Sequence, residues 1–177
     1  MEFNKLTPEE ERVIVHKGTE RALFASGCFW GTEYYFQKVK GVLQTNVGYT
    51  GGHKDNATYH DVCSGNTGHA EAVEVIFDPS QTSYEELAKL FFETHNPEHK
   101  SRQGPDIGTQ YRSAVFYLND EQKQIAENLI QVLKNKNYKV VTEVTKAGTF
   151  WKAEDKHQQY YSKGGGNPYC HKYVKKF

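Results

Sequence analysis

The sequence predicts an α+β fold, a ferredoxin-like split βαβ sandwich with helices packed on a mixed sheet. Two observations carry this reading. Strand-like and helix-like segments follow one another in the order β-α-β-β-α-β and then α-β-α. The chain of 177 residues also fits one domain with a sizeable core. The expected division is an N-terminal arm over 1–20, a domain over 21–160, and a flexible, glycine-rich tail over 161–177.

Each element has its own signal. Arg21 to Ser26 is short and apolar, a strand. Phe29 to Val39 has helical composition and meets a stop signal at Gly41. Val42 to Tyr49 alternates and ends on Gly51-Gly52, a strand and a turn. Ala70, Ala72, Val73, Val75 and Phe77 form a strand that Pro79 ends. Ser83 with Glu86 three residues on is a capping box, and opens a helix with Leu87, Leu90, Phe91 and Thr94 on one face. Tyr111 to Leu118 is a strand, and Asn119 or Asp120 caps a helix carrying Ile125, Leu129, Val132 and Leu133. Val140 to Val144 is a late strand and Ala153 to Tyr160 a short helix. Two long connections, 50–68 and 96–110, are expected to be functional loops.

Composition excludes several classes. With 22 basic and 22 acidic residues, nothing points to nucleic acid or an anionic membrane as partner. The amino terminus is charged, and no run approaches the roughly 18 apolar residues of a membrane span. A soluble, unsecreted, cytoplasmic monomer is the expectation, and Asn56-Ala57-Thr58 is then a chance match to a glycosylation acceptor. Aromatic residues make up 14% of the chain, more than the core alone calls for, so part of that excess is assigned to a site. The three cysteines are odd in number and widely spaced, without a Cys-x-x-Cys pair, which argues against a disulfide framework or a zinc ribbon. Free thiols in a reducing compartment remain. The histidines share no ligand spacing on one element, and Pro97 breaks any helix joining His95 to His99. No metal or cofactor is expected.

The strongest local signal is Gly27-Cys28-Phe29-Trp30-Gly31, where a strand hands over to a helix. A cysteine at a helix N-terminus faces unpaired amides and the positive end of the dipole, which favour the thiolate. Phe29 and Trp30 can form an apolar wall beside it. The competing reading is a packed structural cysteine. Glu71, in Gly68-His69-Ala70-Glu71, stands inside an apolar strand, where burial raises its pKa and makes it a general acid. His69 at the strand start reads as a hydrogen-bonded structural residue. Tyr59, Asp106 and Tyr111 fall in or beside the long loops, where hydroxyls can orient a substrate oxygen.

Five motifs occur in order: Gly27 to Gly31; Gly48-Tyr49-Thr50-Gly51-Gly52; Val62-Cys63-Ser64-Gly65 with Gly68-His69-Ala70-Glu71; Gly108-Thr109-Gln110-Tyr111-Arg112-Ser113; and Ala153-Glu154 with His157-Gln158-Gln159-Tyr160. Together, over roughly residues 20 to 171, they resemble the A-type peptide-methionine (S)-S-oxide reductases. The resemblance implies that Cys28 attacks the sulfoxide sulfur while Phe29 and Trp30 cradle the methyl group. It makes Glu71 the acid, Tyr59 and Tyr111 its partners, and Asp106 a residue that holds the substrate backbone. It further implies a Cys28 sulfenic acid, resolved by Cys170 in the tail and recycled as a disulfide by thioredoxin. Methionine sulfoxide in oxidised proteins is the implied substrate, and Cys63 is a bystander. Leu6-Thr7-Pro8-Glu9-Glu10 with Lys17-Gly18-Thr19-Glu20-Arg21 echoes the start of the B-type enzymes, whose zinc and catalytic cysteines this chain lacks. The alternative function is a cysteine hydrolase pairing Cys28 with His69 as base.

Overall fold

The computed structural model describes residues 5–6 and 18–177. Most of the expected arm, and with it half of the B-type echo, lies outside the described residues. The strands are β1 (Lys5–Leu6), β2 (Glu20–Ser26), β3 (Val42–Thr50), β4 (Ala70–Phe77), β5 (Arg102–Gln103), β6 (Asp106–Ile107), β7 (Ser113–Tyr117), β8 (Glu143–Lys146) and β9 (Phe150–Lys152). The helices are α1 (Phe29–Phe36), α2 (Tyr59–Cys63), α3 (Tyr84–Glu93), α4 (Asp120–Asn135) and α5 (Tyr160–Gly164).

The order β2-α1-β3-β4-α3-β7 lays its four strands side by side as β3-β4-β2-β7, every neighbour antiparallel. This is the ferredoxin-like core that the element order predicts. β8 then joins β7 in parallel, which makes the sheet mixed, while β9 and β1 extend the opposite edge beyond β3. β5 and β6 form a separate two-stranded ribbon inside the 96–110 connection.

Local chemistry sets the helix starts. The Ser83 hydroxyl accepts from the Glu86 amide at 3.1 Å, and the Asn119 side chain accepts from the Gln122 amide at 2.9 Å. The Ser83 box is half realised, because the Glu86 carboxylate accepts from the Thr82 hydroxyl instead. α1 stops at Phe36, short of Val39, and a tight turn leads to Gly41 at φ 100°. Tyr111 belongs to a 3₁₀ turn, Thr109–Tyr111, rather than to β7. The helix expected over Ala153 to Tyr160 is two pieces, a 3₁₀ turn at Asp155–His157 and α5, separated by Gln159 in the left-handed region at φ 57°.

Alternation along β2 and β7 sends Phe24 and Val115 to the helix side, against Phe36, Leu87, Phe91 and Leu133. Leu23, Ala25, Ala114, Phe116 and Phe150 fill the other face. β4 is buried along its whole length, so it carries two carboxylates into the interior. Glu74, on the second face, accepts from Arg21 Nε at 2.7 Å and from Asn46 Nδ2 at 2.6 Å. Glu71 points to the helix side with Val73 and Val75, by the strand period of two.

The tail beyond the exposed glycines 164–166 has no regular secondary structure, and it docks. The Lys176 ammonium donates to the carbonyls of Phe92 and His95, and Val174 N donates to Glu93 O at 2.7 Å.

Removing Arg21 leaves the Glu74 carboxyl buried without its cation. Arg21→Met is therefore expected to cost about 3–5 kcal/mol in urea unfolding. Ser83→Ala, which removes one exposed cap, is expected to cost about 1 kcal/mol. Equal effects of the two would contradict this assignment of the interior pair.

Candidate active site

Cys28 is the N-cap of α1, 6% exposed, just beyond the end of β2, the strand beside the central β4. Its carbonyl accepts from the Gly31 and Thr32 amides, at 3.2 and 3.3 Å, which locks the first turn. Gly27 makes the corner at φ 96°, and a β-carbon there would strike the Gln103 side chain. Gln103 in turn brackets Asn96, accepting from its N at 2.9 Å and donating to its O at 3.0 Å. The strand end, the helix start and the 96–110 connection are thereby fixed together.

The Trp30 and Gly31 amides pull the Cys28 pKa down, as a helix terminus should. The net shift is nevertheless upward, and this corrects the expected resting thiolate. The Cys28 thiol hydrogen-bonds Cys170, the largest cause, and burial adds to it. In the reduced protein Cys28 is held as a thiol that shares a hydrogen bond with Cys170.

Glu71 is 1% exposed, and Oε1 accepts from the Phe29 amide at 3.1 Å. Its other oxygen has no hydrogen-bond partner among the described residues. Burial, followed by the negative charge that Cys28 can carry, raises the Glu71 pKa well above the carboxylate range. Two other buried carboxylates make the contrast. Glu74 is paired as above, and Glu33 accepts from Thr45 Oγ1 at 2.8 Å and from Gln159 N at 2.7 Å. Glu71 alone of the three keeps an unpaired oxygen, and it lies behind the cysteine.

Tyr59 opens α2, which Thr58 and Asp61 start with a complete capping box. Both Glu154 oxygens accept from the Tyr59 amide at 3.3 Å, and Tyr49 OH donates to the same carboxylate at 3.1 Å. The Tyr59 and Tyr111 pKa values are raised, first by burial and then by the Glu71 charge, so both hydroxyls stay protonated near that carboxyl. The exposed Cys63 hydrogen-bonds both tyrosines, so the residue assigned as a bystander borders the site. Its own pKa is raised, chiefly by burial.

The aromatic wall differs from the expected Phe29–Trp30 pair. Phe29 is fully buried, packed against Tyr49 and Tyr59, so it backs the wall. Trp30 is half-buried and stacks on Tyr160 with centroids 4.0 Å apart, and its Nε1 donates to His157 Nδ1 at 3.2 Å. His157 also lies 4.4 Å from the Tyr59 ring. Sequence reasoning left His157 and Tyr160 without a role. Their place in the motif that starts at Ala153 was the available signal.

Asp106, on β6, accepts from Tyr169 OH at 3.2 Å and sits with both thiols: one oxygen and the Cys28 and Cys170 sulfurs lie within 4.8 Å of one another. Cys170 Sγ is also 3.0 Å from His171 Nδ1. His69 is committed elsewhere. Its Nδ1 accepts from Gly52 N at 3.0 Å and its Nε2 donates to Lys54 O at 2.7 Å. With both ring nitrogens held by backbone, His69 has no lone pair for Cys28, and the hydrolase pairing fails.

The chain was compared with known proteins. The family model described as peptide methionine sulfoxide reductase matches residues 20–177. A peptide methionine sulfoxide reductase MsrA of Acinetobacter baumannii is 50% identical over 151 residues, 85% of this chain and 87% of that one. The enzyme of the same name from Methanosarcina acetivorans is 52% identical over 171 residues, 93% and 90% of the two chains. Reduced Mxr1 from Saccharomyces cerevisiae superposes with a TM-score of 0.81 at 31% identity, covering 88% of this chain and 91% of that one. Methionine sulfoxide reductase A of Corynebacterium diphtheriae gives 0.77 at 37% identity, covering 87% and 80%. Mxr1 in complex with Trx2 gives 0.59 at 22% identity, a likeness of fold alone. A match over nearly the whole described chain, joined to a helix-capping cysteine backed by a buried carboxyl, settles the family: the chain belongs to the peptide methionine sulfoxide reductases.

Proposed function

We propose that this chain reduces the S epimer of methionine sulfoxide, free or in oxidised proteins, with Cys28 as nucleophile and Glu71 as acid. The observation that carries the reading is the unpaired, buried oxygen of Glu71 behind the Cys28 sulfur. A sulfoxide oxygen is a poor leaving group, so a proton must reach it as sulfur attacks. Glu71 supplies that proton, and the Cys28 thiol proton replaces it on the carboxylate. Tyr59 and Tyr111, protonated beside Glu71, orient the oxygen. The apolar surface of Trp30, backed by its stack on Tyr160, accepts the methyl group and disfavours the oxygen in its place, which selects the epimer. Asp106 holds the substrate backbone.

Oxygen transfer leaves methionine and a Cys28 sulfenic acid. Cys170 then attacks the Cys28 sulfur. A Cys28–Cys170 bond forms and the sulfenic hydroxyl leaves as water, carrying the Cys170 proton. A dithiol reductant returns both thiols, and we assign that part to thioredoxin, for which the complex of Mxr1 with Trx2 is the precedent. No step requires a metal or an organic cofactor.

Single turnover of the separated epimers tests the acid and the pocket. The S-sulfoxide is expected to react and the R-sulfoxide to remain, with Glu71→Gln slowing the first turnover by about 10²–10⁴. A near-normal first turnover in Glu71→Gln would move the acid role to a tyrosine, and comparable rates on both epimers would remove the methyl-pocket argument.

Cys170→Ser should still release one equivalent of methionine while thioredoxin-driven cycling collapses. Peptide mapping of oxidised wild type should give a Cys28–Cys170 linkage and a free Cys63. A Cys28–Cys63 linkage would reassign the resolving thiol.

The Cys28 titration has a defined sign. Cys170 is the largest cause raising the Cys28 pKa, so Cys170→Ala is expected to lower it, and Cys28 alkylation at fixed neutral pH should become faster. An unchanged pH profile of alkylation would show that burial alone keeps the thiol protonated.

A further inference from the structure

His171 follows Cys170 directly, and its ring lies inside the protein at 5% exposure, although the residues on both sides of it in the tail are at least partly exposed. The ring fills a socket between the end of β2 and the first turn of α1. Nε2 is 2.7 Å from the Ser26 carbonyl and 3.3 Å from Thr32 Oγ1, which itself lies 2.6 Å from Ser26 Oγ. A carbonyl can only accept, so Nε2 carries the proton. Nδ1 therefore keeps its lone pair, and it faces Cys170 Sγ at 3.0 Å, where the thiol donates. Burial lowers the His171 pKa to about 4, so the ring is neutral at physiological pH and this tautomer persists.

The socket is shaped for the ring. A β-carbon on Gly31 would collide with Nδ1 and the ring carbons beside it, and one on Gly27 would touch the ring edge at 3.7 Å. Gly31 thus leaves the room that the tail residue occupies, while Gly27 borders it at ordinary contact distance. Tyr35 OH donates to the His171 carbonyl at 3.4 Å and closes the socket from the side of α1.

We propose that His171 is the positioning residue of the resolving step: its ring plugs this socket and so holds Cys170 beside Cys28 before the sulfenic acid forms. The proposal rests on the assignment of Cys170 as resolving thiol. Its chemistry adds nothing to the balance given above. Cys170–SH and Cys28–SOH become one S–S bond and one water, and His171 contributes only the seat and the acceptor that orients the S–H. Holding two reacting groups in place replaces an encounter by an intramolecular step, and a small misplacement can lower the rate about 10²-fold.

The test separates oxygen transfer from resolution. Enzyme without reductant is mixed with one equivalent of S-sulfoxide, and three quantities are followed by quenched-flow mass spectrometry: methionine, dimedone-reactive Cys28 and the Cys28–Cys170 linkage. His171→Ala is expected to keep the methionine burst, to form the linkage about ten- to a hundredfold more slowly, and to accumulate the dimedone adduct. His171→Gln, whose amide nitrogen can reach the Nε2 position and donate to Ser26 O, should recover most of the rate. Recovery by the conservative variant is a result that general loosening of the tail would not give. Linkage formation at the wild-type rate in His171→Ala would overturn the proposal, as would loss of the methionine burst together with the linkage in both variants. Failure of the underlying reading is visible separately, because wild type itself would then give no methionine, or a linkage that omits Cys170.

Discussion

The site depends on one hydrogen bond, from the Phe29 amide to Glu71. It crosses from the first turn of α1 to the middle strand of the sheet, and it fixes where an acid can stand relative to the sulfur one residue earlier in the chain. The bond satisfies one helix-terminal amide, and it leaves the second carboxyl oxygen facing inward without a partner. A buried carboxyl in that condition stays protonated because ionisation would place a charge in a medium that cannot solvate it. The same burial that makes β4 a core strand therefore keeps the Glu71 carboxyl protonated. Fold and chemistry share a cause here.

Neighbouring carboxyls show how narrow the condition is. Glu74, three residues along the same strand, points to the opposite face and meets Arg21 and Asn46. Glu33, on the helix, closes a loop by taking the Gln159 amide. Each is as deeply buried as Glu71, and each has both oxygens engaged. Only the partners distinguish the one that can give up a proton from the two that tie elements together.

What the sequence made legible follows from where its signals are local. Caps at Ser83 and Asn119, the apolar run of β4 and the glycine corner before Cys28 act within a few residues, and the structure keeps all of them. The misses are long-range. β9 is three residues, and it becomes a strand only because β3 and β1 offer edges to pair with. Its neighbour Ala153 therefore starts no helix, and Gln159 breaks the remainder. The Cys28 ionisation was misjudged for the same reason: the helix terminus is a local cause, whereas Cys170 lies 142 positions away and outweighs it. The family motifs name the residues gathered around Cys28, but the stacking of Tyr160 on Trp30 and the socket around His171 depend on packing between distant segments.

The wall beside Cys28 has an optical consequence. The chain holds two tryptophans. Trp151 is enclosed in the sheet, 3% exposed, where neither substrate nor solvent reaches it. Trp30 is half-buried, lies face to face with Tyr160, and shares its indole proton with His157. Trp151 is thus shielded from solvent, whereas Trp30 is the tryptophan placed to respond to changes beside Cys28. The molecule carries its own fluorophore at the mouth of the site.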